Sequence, residues 1–364
     1  MQSQVVAQPS HGGNLVWAAS LAGCSPSAIL DFSASINPLG PPQSAIASII
    51  DNLGALRDYP DPESFALRRA LGDFHALDPA WILPGNGSAE LLTWVCRDLA
   101  AYEATYLPVP AFGDYRRALT AFDARVIPCL MELEGRVDGQ GAPMPLSQLL
   151  SIDPAVCGLL LNNPHNPTGQ LFSRESLRPY LEKFGLVVVD EAFMDFLPSD
   201  LQQSVMDWVP EYPNLVVLRS LTKFYSLPGL RLGYAIAHPN RLHRWQQWRD
   251  PWSVNSLAAA AAIAVLQDTD FQQQTLDWLP PARTQLFDGL TQLAGLRPYP
   301  GAANYLLVQT NQPAPEIQSR LLKSCQILIR NCLSFPELGD RFFRVAVRTQ
   351  TENRQLLESL ATIL

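Results

Sequence analysis

The sequence predicts an α/β fold, a parallel sheet covered by helices and followed by a smaller α+β region. Three observations predict it. The runs Gly158 to Leu161, Leu186 to Val189, Leu215 to Leu218 and Tyr234 to Ala237 are short and apolar on both faces, as strands buried between two helix layers are. Helix-length segments separate most of the runs, the spacing of parallel strands joined by crossovers. The chain has 364 residues, more than one core usually fills, so two domains are expected.

In chain order, an irregular arm comes first: HGGN at 11–14, an alanine-rich helix, then DFSASINPLGPP at 31–42, where Pro-Leu-Gly-Pro-Pro stops any regular element. Trp81-Ile82-Leu83 reads as a brief strand, PGNGS as a turn, and a helix opens at about Ser88. Ala104 to Leu107 is a further strand before the four runs above. After about Arg241 the pattern changes. A helical stretch passes the alanines of 258–264 toward Leu293. YLLVQT at 305–310, a helix at about 315–325, ILIR at 327–330, FFRVAVR at 342–348 and a last helix from about Asn353 complete the chain. The expected division is an arm at 1–41 packing with the small domain, a large domain at 42–245 and a small domain at 246–364.

Composition excludes several classes. Apolar residues make up 47% and charged residues 16%, a globular balance rather than a disordered one. The formal net charge is -8, and no Lys/Arg run is long enough to make the basic patch of a nucleic-acid binder. None of the six cysteines forms a CxxC pair or lies at zinc-ligand spacing with a histidine, so no metal is expected and the thiols read as small buried groups in a reducing compartment. MQSQVVAQPSHGGN lacks the basic start and apolar stretch of a signal peptide, and Leu257 to Leu266 is too short to span a membrane. A cytoplasmic location is expected, with no membrane partner.

Sheets of this kind place their chemistry beyond the C-terminal ends of the strands, and four runs end in residues suited to one task. Leu186–Val189 ends in Asp190-Glu191. A carboxylate at the edge of a buried strand needs a partner, and a protonated pyridine nitrogen is one. Leu215–Leu218 leads into Arg219-Ser220-Leu-Thr222-Lys223, with Arg231 eight positions after the lysine. Ser220, Thr222 and Arg231 suit a phosphate dianion, and Lys223 lies where an aldehyde would condense with it. PGNGSAE at 84–90 joins a strand to a helix. Its glycines, Gly87 among them, allow close backbone approach, and the helix start at Ser88 attracts phosphate; an ordinary turn with Ser88 or Asn86 as cap is the plainer reading. Asn162 to Gly169 is a rigid turn that can aim Asn166 at a ligand oxygen, with His165 either a turn residue or a substrate contact. Phe112 follows a strand closely enough to stack on a flat ring, or it is a core residue.

SLTKFYSLPGLRLGY, NNPHNPTG, VVVDEAFMDF and GNGSAELL together resemble the fold-type-I enzymes that depend on pyridoxal 5′-phosphate (PLP), the class I/II aminotransferase superfamily, from about residue 11 onward. The resemblance implies an aspartate-aminotransferase-like fold, with a mostly parallel seven-stranded sheet between helices in a large domain and a smaller α+β domain. Within the superfamily, HGGN at 11–14, DFS at 31–33, INPLG at 36–40, TKFY at 222–225 and FRVAVR at 343–348 look like L-threonine-O-3-phosphate decarboxylases of cobalamin biosynthesis. The neighbouring histidinol-phosphate aminotransferases usually carry Tyr where this chain has Phe193.

The resemblance implies an imine at Lys223, Asp190 on the pyridine nitrogen, Asn166 on the phenolic oxygen and Phe112 stacked on the ring. It implies Gly87, Ser88, Ser220, Thr222 and Arg231 on the cofactor phosphate. For the substrate, a small phosphorylated amino acid, it implies Arg344 on the carboxylate, with His11, Gly12, Gly13, Asn37 and His165 as further contacts. Tyr59 resembles a residue that reaches the neighbouring subunit's cofactor phosphate, which implies a homodimer with shared active sites. The alternatives are a transamination of the histidinol-phosphate type, and a binding protein that kept the fold without turnover. The intact set of Lys223, Asp190 and Arg231 speaks against the latter.

Overall fold

A computed structural model describes residues 11–133 and 152–364. The first ten residues of the expected arm and residues 134–151 of the expected large domain lie outside the described residues. The chain forms two compact units. The smaller comprises the residues up to Ser35, Pro167–Gly169 and Trp278–Leu364; the larger comprises Ile36–Asn166 and Gln170–Asp277. The sequence pattern places the second division after 245, at the end of the sheet strands. The structure divides later because the alanine-rich helix Ser256–Leu266 packs on the helices Gln43–Asp51 and Phe65–His75 of the larger unit. Ala258, Ala261 and Ala262 are buried there, and their small side chains let neighbouring helices approach closely.

The strands in chain order begin with β1 (Leu30–Asp31). The larger unit supplies β2 (Ile82–Asn86), β3 (Ala104–Val109), β4 (Val126–Leu130), β5 (Cys157–Asn162), β6 (Leu186–Asp190), β7 (Leu215–Ser220) and β8 (Leu232–Ala237). They form one seven-stranded sheet in the order β2-β8-β7-β6-β5-β3-β4. β3 to β7 pair in parallel, and β8 is antiparallel to both of its neighbours. The sheet is therefore the mostly parallel, helix-flanked one that the sequence implies, while the Tyr234–Ala237 run departs from the parallel set. Its connection from β7 holds only the four-residue helix Leu221–Phe224 and a 3₁₀ turn, too little for a crossover to the opposite end of the sheet.

That reversal positions the site. Asn162 pairs with Asp190, Asp190 with Leu218, Ser220 with Gly233 and Leu232 with Asn86. The ends of β2, β5, β6 and β7 and the start of β8 thus lie along one edge, and residues 221–231 remain at that edge throughout. Leu83, Leu160, Val188, Val216, Leu218 and Ala235 are buried under the helices Ser88–Leu99 and Gly113–Thr120, which makes the strands a rigid base.

In the smaller unit, β9 (Leu296–Pro298), β10 (Tyr305–Thr310), β12 (Arg330–Asn331) and β13 (Phe342–Ala346) form an antiparallel sheet ordered β12-β13-β10-β9. β11 (Ile327–Leu328) pairs in parallel with β1. The helix Leu15–Ala22 is capped by Asn14, whose Oδ1 accepts the Trp17 N–H at 3.0 Å. It buries Ala18 and Ala19 against Leu322 and Leu328. Thr349 and Glu352 form a capping box on the final helix, Gln350–Ile363. No helix among the described residues is long and apolar enough to cross a membrane.

Candidate active site

The lysine segment is fixed from several sides. Ser220 ends β7 and caps the helix Leu221–Phe224. Lys223 Nζ donates to Ser220 Oγ at 3.3 Å, and the hydroxyls of Ser220 and Thr222 are 2.7 Å apart. Three polar side chains thus share one corner at the sheet edge. The Asn37 N–H donates to the Lys223 carbonyl at 3.1 Å. Its Nδ2 donates to the Phe224 carbonyl at 2.8 Å and to Thr275 Oγ1 at 2.7 Å, and its Oδ1 accepts the Leu39 N–H at 3.0 Å. Asn37 is 1% exposed. Its amide hydrogens clamp the lysine segment. The Phe193 ring, also buried, has its centroid 6.0 Å from Lys223 Nζ.

Asp190 ends β6. Its Oδ2 accepts the Tyr115 hydroxyl at 2.8 Å and its Oδ1 the Ala192 N–H at 3.0 Å. Burial raises its pKa above the ordinary carboxylate range, against the Tyr115 hydrogen bond and the positive charge of Lys223, both of which lower it. Lys223 and Asp190 therefore feel each other electrostatically at the same sheet edge. Next to Asp190, Glu191 pairs with Arg219 at 3.1 Å, and Asp195 pairs with the same guanidinium. Ser204 Oγ and the Val205 N–H also donate to Glu191, at 2.6 and 2.9 Å. Burial works against the charge of Arg219, but Asp195 and Glu191 outweigh it and hold the pKa above the usual value. This buried network ties the end of β6 to the end of β7.

The glycine turn faces Arg231. Gly87 has φ +76° and caps the helix Ser88–Leu99 without a side-chain hydrogen bond. A Cβ on Gly87 would lie 2.5 Å from an Arg231 Nη, and one on Gly233 would lie 2.5 Å from the Ser88 nitrogen. Only glycines allow the helix start, the turn and the guanidinium to converge. Arg231 itself takes a left-handed φ of 56° and donates from Nη1 to the Pro228 carbonyl at 3.0 Å, strain of the kind concentrated at functional sites.

The turn after β5 is held by Asn163, which exchanges hydrogen bonds of 2.9 Å with both backbone groups of Phe172. Asn166 is 7% exposed. His165 is buried, packs its ring edge on Phe172 and hydrogen-bonds the Pro110 backbone. Burial pushes its pKa down to about 3. It is a buried, neutral residue of the turn after β5. Phe112 begins the helix Gly113–Thr120, with its ring edge-on to Tyr115 at 5.6 Å. Tyr59 is 78% exposed and stacks on Trp252 at 4.5 Å.

The family model for class I and II aminotransferases matches residues 27–360. A threonine-phosphate decarboxylase from Salmonella typhimurium is 38% identical over 98% of this chain and 96% of its own length. A histidinol-phosphate aminotransferase from Methanothermobacter thermautotrophicus is 31% identical over 92% of this chain and 89% of its own. The chain belongs to the class I and II aminotransferase family. The solved structure of histidinol-phosphate aminotransferase from Sinorhizobium meliloti in complex with pyridoxal-5′-phosphate shares the fold, with a TM-score of 0.81, 22% identity, and coverage of 100% of this chain and 96% of that one.

Like its family, the chain is a PLP-dependent enzyme. The sheet edge fits that cofactor: an amine, a buried acid under its influence, paired hydroxyls and a glycine-capped helix start beside an arginine converge on it. Sequence reasoning missed Tyr115 and the Arg219 network. Tyr115 carried a signal, three residues after Phe112 and so on the same helix face. Arg219 carried none, because an arginine inside a buried strand shows its purpose only once its partners fold around it.

In the smaller unit, Arg344 on β13 is the Cα partner of Arg330 on β12. The Arg344 guanidinium lies 4.7 Å over the Tyr305 ring, and burial lowers its pKa. Burial and the neighbouring Arg344 charge bring Arg330 down to about 10. His11, Gly12 and Gly13 line a pocket with Ser33, Arg330 and Asn331. Arg330 was not among the residues singled out from sequence. The two cations thus lie side by side on neighbouring strands, and Arg330 also donates to Ser334 Oγ at 2.7 Å.

Proposed function

We propose that the chain decarboxylates L-threonine O-3-phosphate to CO₂ and (R)-1-amino-2-propanol O-phosphate, for cobalamin biosynthesis. The observation that carries the reading is Phe193 beside Lys223: histidinol-phosphate aminotransferases usually have Tyr at this position, and phenylalanine has no hydrogen to donate to the cofactor's phenolic oxygen. The Salmonella relative, alike along nearly the whole chain, supports it.

In this reading Lys223 holds the cofactor, and Asp190 keeps the ring nitrogen protonated. Asn166 donates to the phenolic oxygen and Phe112 covers a ring face. Gly87, Ser88, Ser220, Thr222 and Arg231 hold the phosphate. When bound, the cofactor supplies an electron sink for the substrate carbon. Arg344 takes the substrate carboxylate, and the phosphate falls to Arg330 and the His11–Gly13 arm. The bond from Cα to the carboxylate carbon breaks, CO₂ leaves, and the Lys223 ammonium gives a proton to Cα. Positioning decides which bond breaks, so misplacement of the carboxylate changes the outcome. Tyr59, exposed and stacked on Trp252, is assigned to the partner's cofactor phosphate in a homodimer.

The test compares two reactions. With phosphothreonine and no keto acid, labelled CO₂ is expected to appear with 1-amino-2-propanol phosphate. Amino transfer from histidinol phosphate to 2-oxoglutarate, with phosphothreonine untouched, would overturn the proposal in favour of the aminotransferase reading that the Methanothermobacter relative supports.

A further inference from the structure

Within the smaller unit, the glycine turn of the arm meets a buried hydroxyl. The Gly13 N–H donates to Ser33 Oγ at 2.8 Å. The Ser33 hydroxyl donates to Asp31 Oδ1 at 2.6 Å, and the same oxygen accepts the Ser33 N–H at 2.7 Å. A serine hydroxyl has one hydrogen and two lone pairs. With its hydrogen committed to Asp31, the oxygen can only accept from Gly13. Ser33 is buried. Asp31 lies on β1, which pairs with Leu328 two residues before Arg330.

The arm is shaped to this hydroxyl. A Cβ on Gly12 would overlap the Ser33 carbonyl, and Gly13 has φ +80°. Two successive positions thus need glycine for the arm to lie flat on Ser33. Immediately before them, His11 borders the pocket that also contains Arg330 and Asn331.

We propose that Ser33, oriented by Asp31, is a positioning residue for substrate binding: it holds the arm so that His11 closes one side of the Arg330 pocket. This rests on the reading that the pocket takes an anionic group of the substrate. The hydroxyl is committed to Gly13 and Asp31 and acts through the arm, so its loss should weaken binding more than turnover.

The experiment uses the holoenzyme and its Ser33→Ala, Ser33→Thr and Gly12→Ala forms. Hydrogen-exchange mass spectrometry follows the peptide that contains Gly13. Steady-state kinetics use whichever of phosphothreonine or histidinol phosphate the unmodified enzyme turns over. Ser33→Ala should speed exchange of the arm about two- to tenfold and raise KM by a similar factor, as loss of one hydrogen bond implies, with a smaller fall in kcat. Ser33→Thr, which keeps the hydroxyl, should restore both. Gly12→Ala reaches the same arm from its own side and should loosen it even if Ser33→Ala folds poorly. Unchanged exchange in Ser33→Ala and Gly12→Ala would overturn the latch. Faster exchange with unchanged KM would overturn its role in binding. If neither substrate is turned over, the functional reading fails, and the exchange comparison still decides the latch.

Discussion

At the lysine end of the larger unit, the candidate site sits on the ends of neighbouring strands and is braced by a buried ionic network. In the smaller unit, the Arg330 pocket is walled by an arm, a loop serine and two short strands drawn from distant parts of the chain. The first region pairs residues whose register is set by the sheet, Asp190 with Leu218 and Ser220 with Gly233. The second depends on single contacts such as Gly13 to Ser33. The contrast teaches that, in the proposed reading, strand ends in fixed register would carry the reacting groups, while segments joined by individual contacts would select what they act upon.

The largest expected effect lies at the rigid end. Lys223→Ala should cost upwards of roughly 10³-fold in kcat, as loss of a residue that bonds the reacting group does, and abolish the absorbance band of lysine-bound cofactor. A retained band would break the comparison by moving the chemistry elsewhere. Asp190→Asn keeps shape and removes charge; a loss of about 10² to 10³-fold in kcat is expected, with a much smaller change in KM. An equal rise in KM would mean that Asp190 serves ground-state binding.

Stability gives a third comparison. Burial holds His165 neutral, with its pKa down at about 3 against 6.5 for the free side chain. The unfolded chain therefore takes up the proton first. Stability is lost as pH falls from about 6.5 toward 3, by about 2 kcal/mol at pH 5. His165→Gln should remove that part of the acid sensitivity, measured by denaturant unfolding at pH 7 and 5. An identical pH dependence in the variant would show that the ring is not kept neutral. The smallest effect is expected from Phe193→Tyr. A hydroxyl donated to the phenolic oxygen stabilises its negative charge, so the lysine-bound cofactor should lose its proton at a pH lower by about one unit. An unmoved titration would place Phe193 out of reach of that oxygen.

The sheet was legible because its strands are contiguous apolar runs whose period and spacing survive without tertiary context. The polar residues near their ends were legible for the same reason: Asp190 directly follows one such run, and Lys223 comes five residues after the last residue of another. What the sequence concealed depends on partners far along the chain. The clamp that Asn37 makes with Thr275 and Phe224 joins residues far apart in the chain and leaves no local signal. Arg330 reads as an ordinary strand residue until β13 lays Arg344 beside it. The direction of β8 was hidden too, since apolar runs look alike whether a strand runs up or down. The domain division after 277 depended on helix packing, which the change of pattern near 241 does not report.

The reversed strand sets a constraint on how this enzyme can change. Residues 221–231 are anchored at one end by β7 and at the other by β8, and side chains alternate faces along each. A one-residue slip of β8 against β7 and β2 would drive Tyr234 and Ile236 to the opposite side of the sheet unless a bulge absorbed it, so a change in the length of 221–231 has to be taken up within the connection itself. Thr222, Lys223 and Arg231 constrain the letters of this segment, while β7 and β8 fix the points between which it must run.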